Sequence, residues 1–259
     1  VSRAGIPISL VNARLSSRSE RRYRALGWLV KPVFALLDQV LAQENEDIPR
    51  WSALGVDVKR IKRTGSVKFD PEDASTGDSR IATFRALLAR AGWSDSPPVL
   101  LAASTHPGEE AGIAKVFQTL KQSFPALKLM IVPRHVERTP EVAEQLRAMG
   151  LTPVLRSNLE SQTAASDCVL VNTTGELGAW QHLASIVVIG KSFLATGGQN
   201  PAEALMASKP VVFGPHMENF DALVTLLLDA GGAQRVPDFT GLESTCRQLL
   251  RDPELAQKT

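Results

Sequence analysis

From residue 97 onward, short apolar runs alternate with segments of helical periodicity, and few folds accommodate such an order. The apolar runs are almost uninterrupted by polar residues, which is typical of strands covered by helices on both faces and therefore of a parallel sheet. A repeated strand–helix order is the pattern of a doubly wound α/β domain. We predict strands here at Val99 to Ala103, Leu127 to Val132, Cys168 to Val171, Ile186 to Ile189 and Pro210 to Phe213.

Amphipathic segments lie between and beyond these strands. Pro140 near the start of one segment and Gly150 just after its end are the residues expected at helix boundaries. The predicted helices are Asp78 to Ala91, Glu109 to Ser123, Thr139 to Met149, Asn200 to Ala207, Met217 to Ala230 and Thr240 to Leu250.

Residues 1–64 have a different pattern. A strand is predicted at Ile6 to Asn12 and a short one at Val56 to Ile61, with helices rich in Arg and Leu between them. This is too little sheet for us to expect a separate core. The polar segment Asp70 to Asp78 contains a proline, a glycine and several acidic residues, so it indicates a linker. We therefore predict two domains, residues 1–69 and residues 70–259.

The composition is that of an ordinary globular protein, with 44% hydrophobic and 22% charged residues. Cys168 and Cys246 are too few for a disulfide framework, and we expect buried thiols in a reducing compartment. Every hydrophobic run is too short, or too interrupted by charge, proline or glycine, to span a bilayer. Residues 1–7 do not have the pattern of a signal peptide; they suggest a helix end leading into a strand, as if the chain began part-way through a fold.

Charge is unevenly distributed along the chain. Residues 1–70 carry 13 Lys/Arg and 7 Asp/Glu, a net charge of +6, and the remainder has a net charge of −4. This unequal charge suggests that the two parts of the chain face different binding partners or surfaces. The basic excess is greatest between Arg14 and Arg24, where Tyr23 is the one aromatic residue and Trp28 the next, so we expect no nucleic-acid partner.

Polar and glycine-rich loops follow each predicted strand after residue 97. In open parallel sheets, ligands bind outside the carboxyl ends of the strands, so these loops predict a ligand site. Gly197 and Gly198 precede a predicted helix, where backbone N–H groups can approach a phosphate. Arg134 offers a guanidinium to a phosphate or carboxylate, and Glu203 could accept hydrogen bonds from ribose hydroxyls.

Simpler interpretations remain open for several of these residues. A Gly-Gly pair before a helix is more often a turn than a phosphate site. Glu109 and Glu110 open a predicted helix, where carboxylates stabilise the helix dipole without further function. The histidines are not spaced as zinc ligands, so we expect no metal site. The sequence contains neither the Gly-x-Ser-x-Gly motif of hydrolases nor a Walker loop.

Seven motifs in this order resemble those of one family, bacterial 3-deoxy-D-manno-octulosonic acid (Kdo) transferase. The resemblance runs from residue 6 to about the end of the chain. The motifs are Val11-Asn12-Ala13-Arg14-Leu15-Ser16, Gly65-Ser66-Val67-Lys68-Phe69-Asp70, Ala103-Ser104-Thr105-His106 with Gly108-Glu109-Glu110, Val132-Pro133-Arg134-His135 with Glu137-Arg138, Gly175-Glu176-Leu177-Gly178, Gly198-Gln199-Asn200-Pro201-Ala202-Glu203, and Phe213-Gly214-Pro215-His216 with Asn219-Phe220.

The resemblance implies an inverting glycosyltransferase of the two-domain GT-B type. Such an enzyme moves Kdo from CMP-Kdo to the lipid A precursor at the cytoplasmic face of the inner membrane, and we expect no further cofactor. It implies that residues 1–69 belong to the acceptor-side domain and residues 70–259 form the CMP-sugar-binding domain. The implied CMP contacts are Pro133, Arg134, Gly175, Glu176, Leu177, Asn200, Pro201, Ala202 and Glu203. Ser104, His106, Gly197 and Gly198 are candidates for contacts with the donor sugar or phosphate.

The sequence also departs from the pattern of that family. Asn172-Thr173-Thr174 replaces a Gly-Asp-Thr run, Gln199 replaces a histidine, and Ala204 replaces a proline. The glutamate that serves the family as general base, a second glutamate and the membrane anchor would all precede residue 1. We therefore expect a chain that lacks most of its N-terminal domain and is inactive alone, since loss of the base costs roughly two to four orders of magnitude in rate.

Two other functions remain possible from the sequence. One is a GT-B enzyme that uses a UDP-sugar, and the other is a nucleotide-binding remnant without catalysis. The basic residues Arg14, Arg18, Arg21 and Arg22 could face the acceptor phosphates or an anionic membrane, or they could form a solvated helix face.

Overall fold

The computed structural model describes residues 6–65, 74–94 and 96–259, and the side chains of residues 17, 18 and 74–78 are not described. The chain divides into two compact units, Val1–Asp70 and Pro71–Thr259. The predicted boundary between residues 69 and 70 and most of the Gly65–Asp70 motif lie outside the described residues. The roles predicted for the two domains stay predictions.

The first unit contains a parallel three-stranded sheet in the order β1-β2-β3. The strand predicted at Val56 to Ile61 is wrong in position, because a 3-10 turn capped by Asp57 occupies Val58–Arg60 and the strand follows it. The strand β2 was not predicted, because its four residues are too few to show a periodicity. The elements are β1 (Ser9–Ala13), α1 (Ser17–Ala25), α2 (Gly27–Phe34), β2 (Gln39–Ala42), α3 (Asp47–Ala53) and β3 (Ile61–Arg63).

The expectation that this part has no core of its own is wrong. Val40 and Ala42 of β2 are fully buried, and they belong to one cluster with Trp51 and Leu54 from the α3 region. The indole of Trp51 donates to the carbonyl oxygen of Ala13 at 3.2 Å, which ties α3 to the end of β1. The small sheet therefore has a core of its own, to which α3 contributes the large aromatic residue Trp51.

The second unit contains a seven-stranded parallel sheet in the order β10-β9-β8-β4-β5-β7-β6, as a doubly wound domain requires. Its strands are β4 (Val99–Thr105), β5 (Lys128–Pro133), β6 (Pro153–Leu155), β7 (Cys168–Leu170), β8 (Ile186–Ile189), β9 (Val211–Phe213) and β10 (Gln234–Arg235). Its helices are α4 (Ala74–Arg90), α5 (Glu109–Ser123), α6 (Thr139–Ala148), α7 (Leu177–Leu183), α8 (Ala202–Met206), α9 (Asp221–Asp229), α10 (Phe239–Arg251) and α11 (Pro253–Lys258).

Both faces of this sheet are buried, which explains the uninterrupted apolar strands. Alternate residues of β4 contribute to different clusters, Leu101 to one with α4 and α7 and Leu100 to the other with α5, α6 and α10. Cys168 and Cys246 are free, as predicted, and burial raises the pKa of each thiol to about 12.

Several boundaries differ from the predictions. The helix α4 begins at Ala74, inside the segment predicted as a linker. The helix predicted from Met217 is preceded by a 3-10 turn at Glu218–Phe220 and begins at Asp221. The edge strands β6 and β10 were not predicted, since each is short and only partly buried. Among the helices of the described residues, none is both long and apolar enough to cross a bilayer.

The topology places a crevice at one point of the sheet. β4 is the first strand of this sheet in the chain and has β5 on one side and β8 on the other, so the strand order reverses between β4 and β8. Ligands of open α/β sheets bind outside the carboxyl ends of the strands at such a reversal. The loops after β4 and β8 are therefore the expected walls of the site.

Candidate functional site

The loops that follow β4, β8 and β5 meet at the carboxyl edge of the sheet. The Nε2 atom of His106, after β4, lies 3.0 Å from Nε2 of Gln199, after β8. The ring of His106 lies 6.1 Å from that of His135, after β5. The structure thus brings together residues that are up to 93 positions apart in sequence.

The β4 and β8 backbones are in close contact. A Cβ atom at Gly190 would lie 2.3 Å from the carbonyl oxygen of Ser104, so only glycine fits there. Ser104 itself has a left-handed backbone, with φ of 55°. On the other side, the amide of Arg134 donates to the carbonyl oxygen of Thr105 at 3.0 Å. Ser104 and Arg134 are therefore fixed at this edge, and Arg134 is exposed.

Gly197 and Gly198 have left-handed backbones, with φ of 110° and 67°, but both N–H groups are already paired. The amide of Gly197 donates to Oε2 of Glu218 at 2.5 Å, and that of Gly198 donates to the carbonyl oxygen of Lys191 at 3.1 Å. These amides can contact a phosphate only if these partners are displaced. A carboxylate thus occupies the position at Gly197 for which the sequence predicts an anion.

The segment from Asn200 to Glu203 begins helix α8. The side-chain oxygen of Asn200 accepts a hydrogen bond from the amide of Ala202 at 3.1 Å, which explains why the helix starts later than predicted. Pro201 and Ala202 are buried, and Glu203 is exposed in the first turn.

The loop after β7 is held by arginines that the sequence analysis missed. Arg156 donates to both carboxylate oxygens of Glu176 at 3.0 Å, and its guanidinium lies 5.3 Å from the ring centre of Phe84. Nη2 of Arg80 donates to the carbonyl oxygen of Gly175 at 2.5 Å. Arg156 follows β6 directly, so missing that strand also concealed the role of this residue. The carboxylate of Glu176 is therefore already bound by a side chain of the protein, that of Arg156.

The interpretation of Glu109 and Glu110 as dipole-stabilising residues is incomplete. Both are fully buried. Glu109 accepts four backbone N–H groups, those of His106, Lys191, Ser192 and Phe193, at 2.7 to 3.1 Å. Glu110 accepts from Oγ1 of Thr105 at 2.8 Å and from Arg138 at 2.7 Å.

The electrostatics of the edge favour a neutral His106. Burial lowers the pKa of His106, Glu109 opposes this change, and Lys191, His135 and Arg138 add to it. The imidazole is therefore mostly uncharged at neutral pH. One of its ring nitrogens then donates a hydrogen bond and the other accepts one. In the described part of the chain, no group of three or more His, Cys, Asp or Glu residues is placed to hold a metal ion.

The arginines predicted to face the acceptor or a membrane lie in α1 or just before it. Arg14, Arg21 and Arg22 are exposed, and the side chain of Arg18 lies outside the described residues. The adjacent helix α2 has no buried residue, and the indole of Trp28 is 80% exposed. Further exposed apolar side chains on or near α2 are Leu26, Leu29, Val33 and Leu36.

Comparison with known proteins identifies the family. Residues 1–71 match the family described as 3-deoxy-D-manno-octulosonic-acid transferase (kdotransferase). The chain is 35% identical over 260 residues to the 3-deoxy-D-manno-octulosonic acid transferase of Bordetella pertussis, and 31% identical over 254 residues to that of Haemophilus influenzae. Each alignment covers 98% of this chain and 58% of the relative, so the chain spans a little over half the length of these curated relatives.

Solved structures agree with the sequence comparison. The C-terminal CMP-Kdo binding domain of WaaA from Acinetobacter baumannii matches with a TM-score of 0.63 at 26% identity, over 70% of this chain and 96% of that domain. The UDP-GlcNAc 2-epimerase of Neisseria meningitidis matches with a TM-score of 0.60 over 99% of this chain and 64% of that one, and its 13% identity shows the fold alone. The predicted α/β fold of GT-B type is confirmed. The seven ordered motifs, the two alignments over 98% of this chain and this structural match all point to the 3-deoxy-D-manno-octulosonic acid transferase family.

Proposed function

We propose that this chain supplies the donor-binding part of an inverting glycosyltransferase, which transfers Kdo from CMP-Kdo to a lipid A precursor in lipopolysaccharide synthesis. The observation that carries the proposal is the likeness of the chain to a CMP-Kdo binding domain, 96% of which it matches at 26% identity. The convergence of the β4, β5 and β8 loops supports it independently, since these loops surround the point where the strand order reverses.

The donor contacts follow from what each loop presents. The exposed guanidinium of Arg134 is suited to the phosphate of CMP, because it can donate two parallel hydrogen bonds to phosphate oxygens. Glu203, exposed at the start of α8, accepts from the ribose hydroxyls. Because its carboxylate is bound to Arg156, Glu176 contributes through the backbone of its loop. The other proposed CMP contacts are Pro133, Gly175, Leu177, Asn200, Pro201 and Ala202, with Ser104, His106, Gly197 and Gly198 nearer the donor sugar or phosphate.

Catalysis requires a group that this chain is not proposed to supply. In an inverting transfer, a base removes the proton of the acceptor hydroxyl while its oxygen attacks the anomeric carbon and CMP leaves. The resemblance places that glutamate outside these 259 residues. We therefore expect the chain alone to transfer Kdo two to four orders of magnitude more slowly than a version extended to the length of the relatives.

Isothermal titration of the purified chain with CMP tests the donor site. We expect saturable binding, weakened about tenfold or more by Arg134→Ala, because a charge-assisted hydrogen bond contributes about 1.5–3 kcal/mol. Glu203→Ala is expected to weaken binding less. Arg147→Ala and Glu144→Ala, at exposed positions of α6, are the matched controls and leave affinity unchanged.

Three outcomes would contradict parts of this proposal. Saturable binding of UDP without binding of CMP would indicate a different donor class. CMP binding that is unaffected by either site variant would place the nucleotide elsewhere. CMP binding without any transfer, even by the extended version, would favour the non-catalytic alternative.

The first unit is proposed to face an anionic membrane or the phosphates of the lipid acceptor. Exposed arginines of α1 adjoin an apolar helix, α2, and this combination is typical of surfaces that bind anionic bilayers. We propose that this surface lies at the cytoplasmic face of the bacterial inner membrane. A solvated helix face is the alternative, and vesicle binding distinguishes the two.

A further inference from the structure

Glu109 is a buried carboxylate that the proposed function does not use. Its Oε2 atom accepts from the amides of His106 and Lys191 at 2.9 and 2.7 Å, and its Oε1 atom accepts from those of Ser192 and Phe193 at 3.0 and 3.1 Å. A fully buried carboxylate is costly unless its charge is met by such bonds. Interaction with the helix dipole alone does not require burial, because an exposed carboxylate in the first turn provides it equally well.

The four amides belong to the two loops that border the expected crevice. His106 lies after β4, and Lys191, Ser192 and Phe193 lie after β8, so one side chain joins the backbones on both sides of the strand-order reversal. The network continues through Ser192, which is itself fully buried. Its Oγ accepts from the amide of Gly214, after β9, at 2.8 Å.

This network determines where the site residues lie. The amide of His106 is bonded to Glu109, and the ring of the same residue contacts Gln199. The carbonyl oxygen of Lys191 accepts from the amide of Gly198, so the position of Lys191 also sets the course of the Gly197–Gly198 turn. The carbonyl oxygen of Ser192 accepts from the amide of His216 at 3.0 Å.

We infer that Glu109 is a positioning residue of the donor site, whose buried carboxylate holds the β4 and β8 loops in the arrangement that binds the nucleotide. It does so without touching the donor. The inference rests on the proposed function in so far as the ligand is CMP, whereas the positioning of the loops is a property of the chain itself.

Glutamine is the informative replacement. Glu109→Gln keeps the length and shape of the side chain but replaces one acceptor oxygen with an NH2 group, which would face N–H groups of the loops. At least one pair of buried amides therefore loses its acceptor. The adjacent Glu110→Gln is the matched control for amide exchange, because the acceptors for Lys191, Ser192 and Phe193 are on Glu109 alone. Leu249→Ala, in the buried face of α10, is the control for a general loss of stability.

Hydrogen exchange of the 15N-labelled chain and CMP titration together test the inference. We expect Glu109→Gln to accelerate exchange by tenfold or more in at least one of the two amide pairs, Lys191 with His106 or Ser192 with Phe193, and to weaken CMP binding by a similar factor. Glu110→Gln should leave the three amides after β8 protected. Leu249→Ala should lower Tm and leave CMP affinity unchanged.

The outcomes separate this inference from the proposed function. Wild-type protection of both amide pairs in Glu109→Gln would overturn it, as would unchanged CMP affinity in that variant when the wild type binds CMP. If the wild type does not bind CMP, the proposed function fails and the exchange result alone decides whether Glu109 holds the loops. If Glu109→Gln does not fold, the wild-type chain decides, since fast exchange at these four amides would contradict the network.

Discussion

The two units of the chain differ in where they place polar and apolar groups. Of the eight buried polar or charged residues described, seven lie in the second unit and one, Asp47, in the first. The first unit instead exposes apolar side chains on α2, next to the arginines of α1. Buried hydrogen bonds fix loops around a small ligand, whereas an exposed apolar and basic surface suits a partner as broad as a membrane. The contrast supports the proposal that the second unit binds the nucleotide and the first binds a surface.

The largest effect is expected at the basic surface of the first unit. Arg21→Gln with Arg22→Gln should lower binding to anionic vesicles about 30-fold, because each basic side chain near such a surface contributes about 1 kcal/mol. Co-sedimentation with phosphatidylglycerol vesicles measures this, and 0.5 M salt should reduce binding by the wild type. The double control Arg147→Gln with Arg251→Gln removes equal charge from exposed positions of the second unit. An equal loss in that control would show that net charge, not this surface, binds the vesicle.

In the second unit, removal of Arg156 tests the buried polar network. Arg156→Ala leaves the carboxylate of Glu176, which is 14% exposed, with Thr173 and Trp180 as its remaining partners. We expect a loss of about 2 kcal/mol in the free energy of unfolding, measured by urea denaturation. Arg156→Ala combined with Glu176→Ala should recover part of it, since no uncompensated carboxylate remains. A loss in the double variant as large as the sum of both single losses would contradict a coupled pair.

Gln181 is the converse case in the second unit, because its replacement removes unpaired buried polar atoms and not a paired charge. Its side chain is fully buried, and the described residues offer no hydrogen-bond partner to either of its amide atoms. Gln181→Met keeps the length of the side chain and removes the unpaired polar atoms, so it should stabilise the fold by about 1 kcal/mol. The midpoint of urea unfolding measures the change. A destabilised variant would show that the amide has a partner, such as a buried water.

The smallest effect is expected at Glu218. Hydrogen bonds from its own backbone amide and from that of Gly197 lower the pKa of this carboxyl, so it is ionised at neutral pH beside the proposed phosphate position. Glu218→Gln should strengthen CMP binding a few-fold, because it removes an exposed negative charge that competes with the ligand. Asp229→Asn, at the far end of α9, is the control. Weaker CMP binding in Glu218→Gln would indicate that the carboxylate supports the site.

Sequence patterns predicted the second unit well and the first unit poorly. Strands buried on both faces, such as β4 and β8, are continuous apolar runs and were placed almost correctly. The strand β2 has only four residues, in which partly buried and buried side chains alternate, and its buried Val40 and Ala42 belong to one cluster with Trp51 of α3. The core of the first unit could therefore not be foreseen from local pattern.

In the candidate site, too, some features follow from local sequence pattern and others do not. The loops that follow the strands were predicted because parallel topology brings strand ends to one edge. The partners within the loops were not, since the bonds of Glu109 to Ser192 and of Arg156 to Glu176 join residues 83 and 20 positions apart. Such pairings depend on the tertiary fold. The local sequence around Glu109 therefore cannot distinguish a buried carboxylate that joins two loops from one that only stabilises a helix dipole.

The most direct test of the division between the two units is the set of amide resonances that CMP shifts in the 15N-labelled chain. We predict the largest shifts at His106, Arg134 and Gln199 and around the loop at Glu176, all in the second unit. The amides of α1 and α2 should not move. Shifts centred on the first unit, or on the amino ends of the strands of the second, would contradict the account.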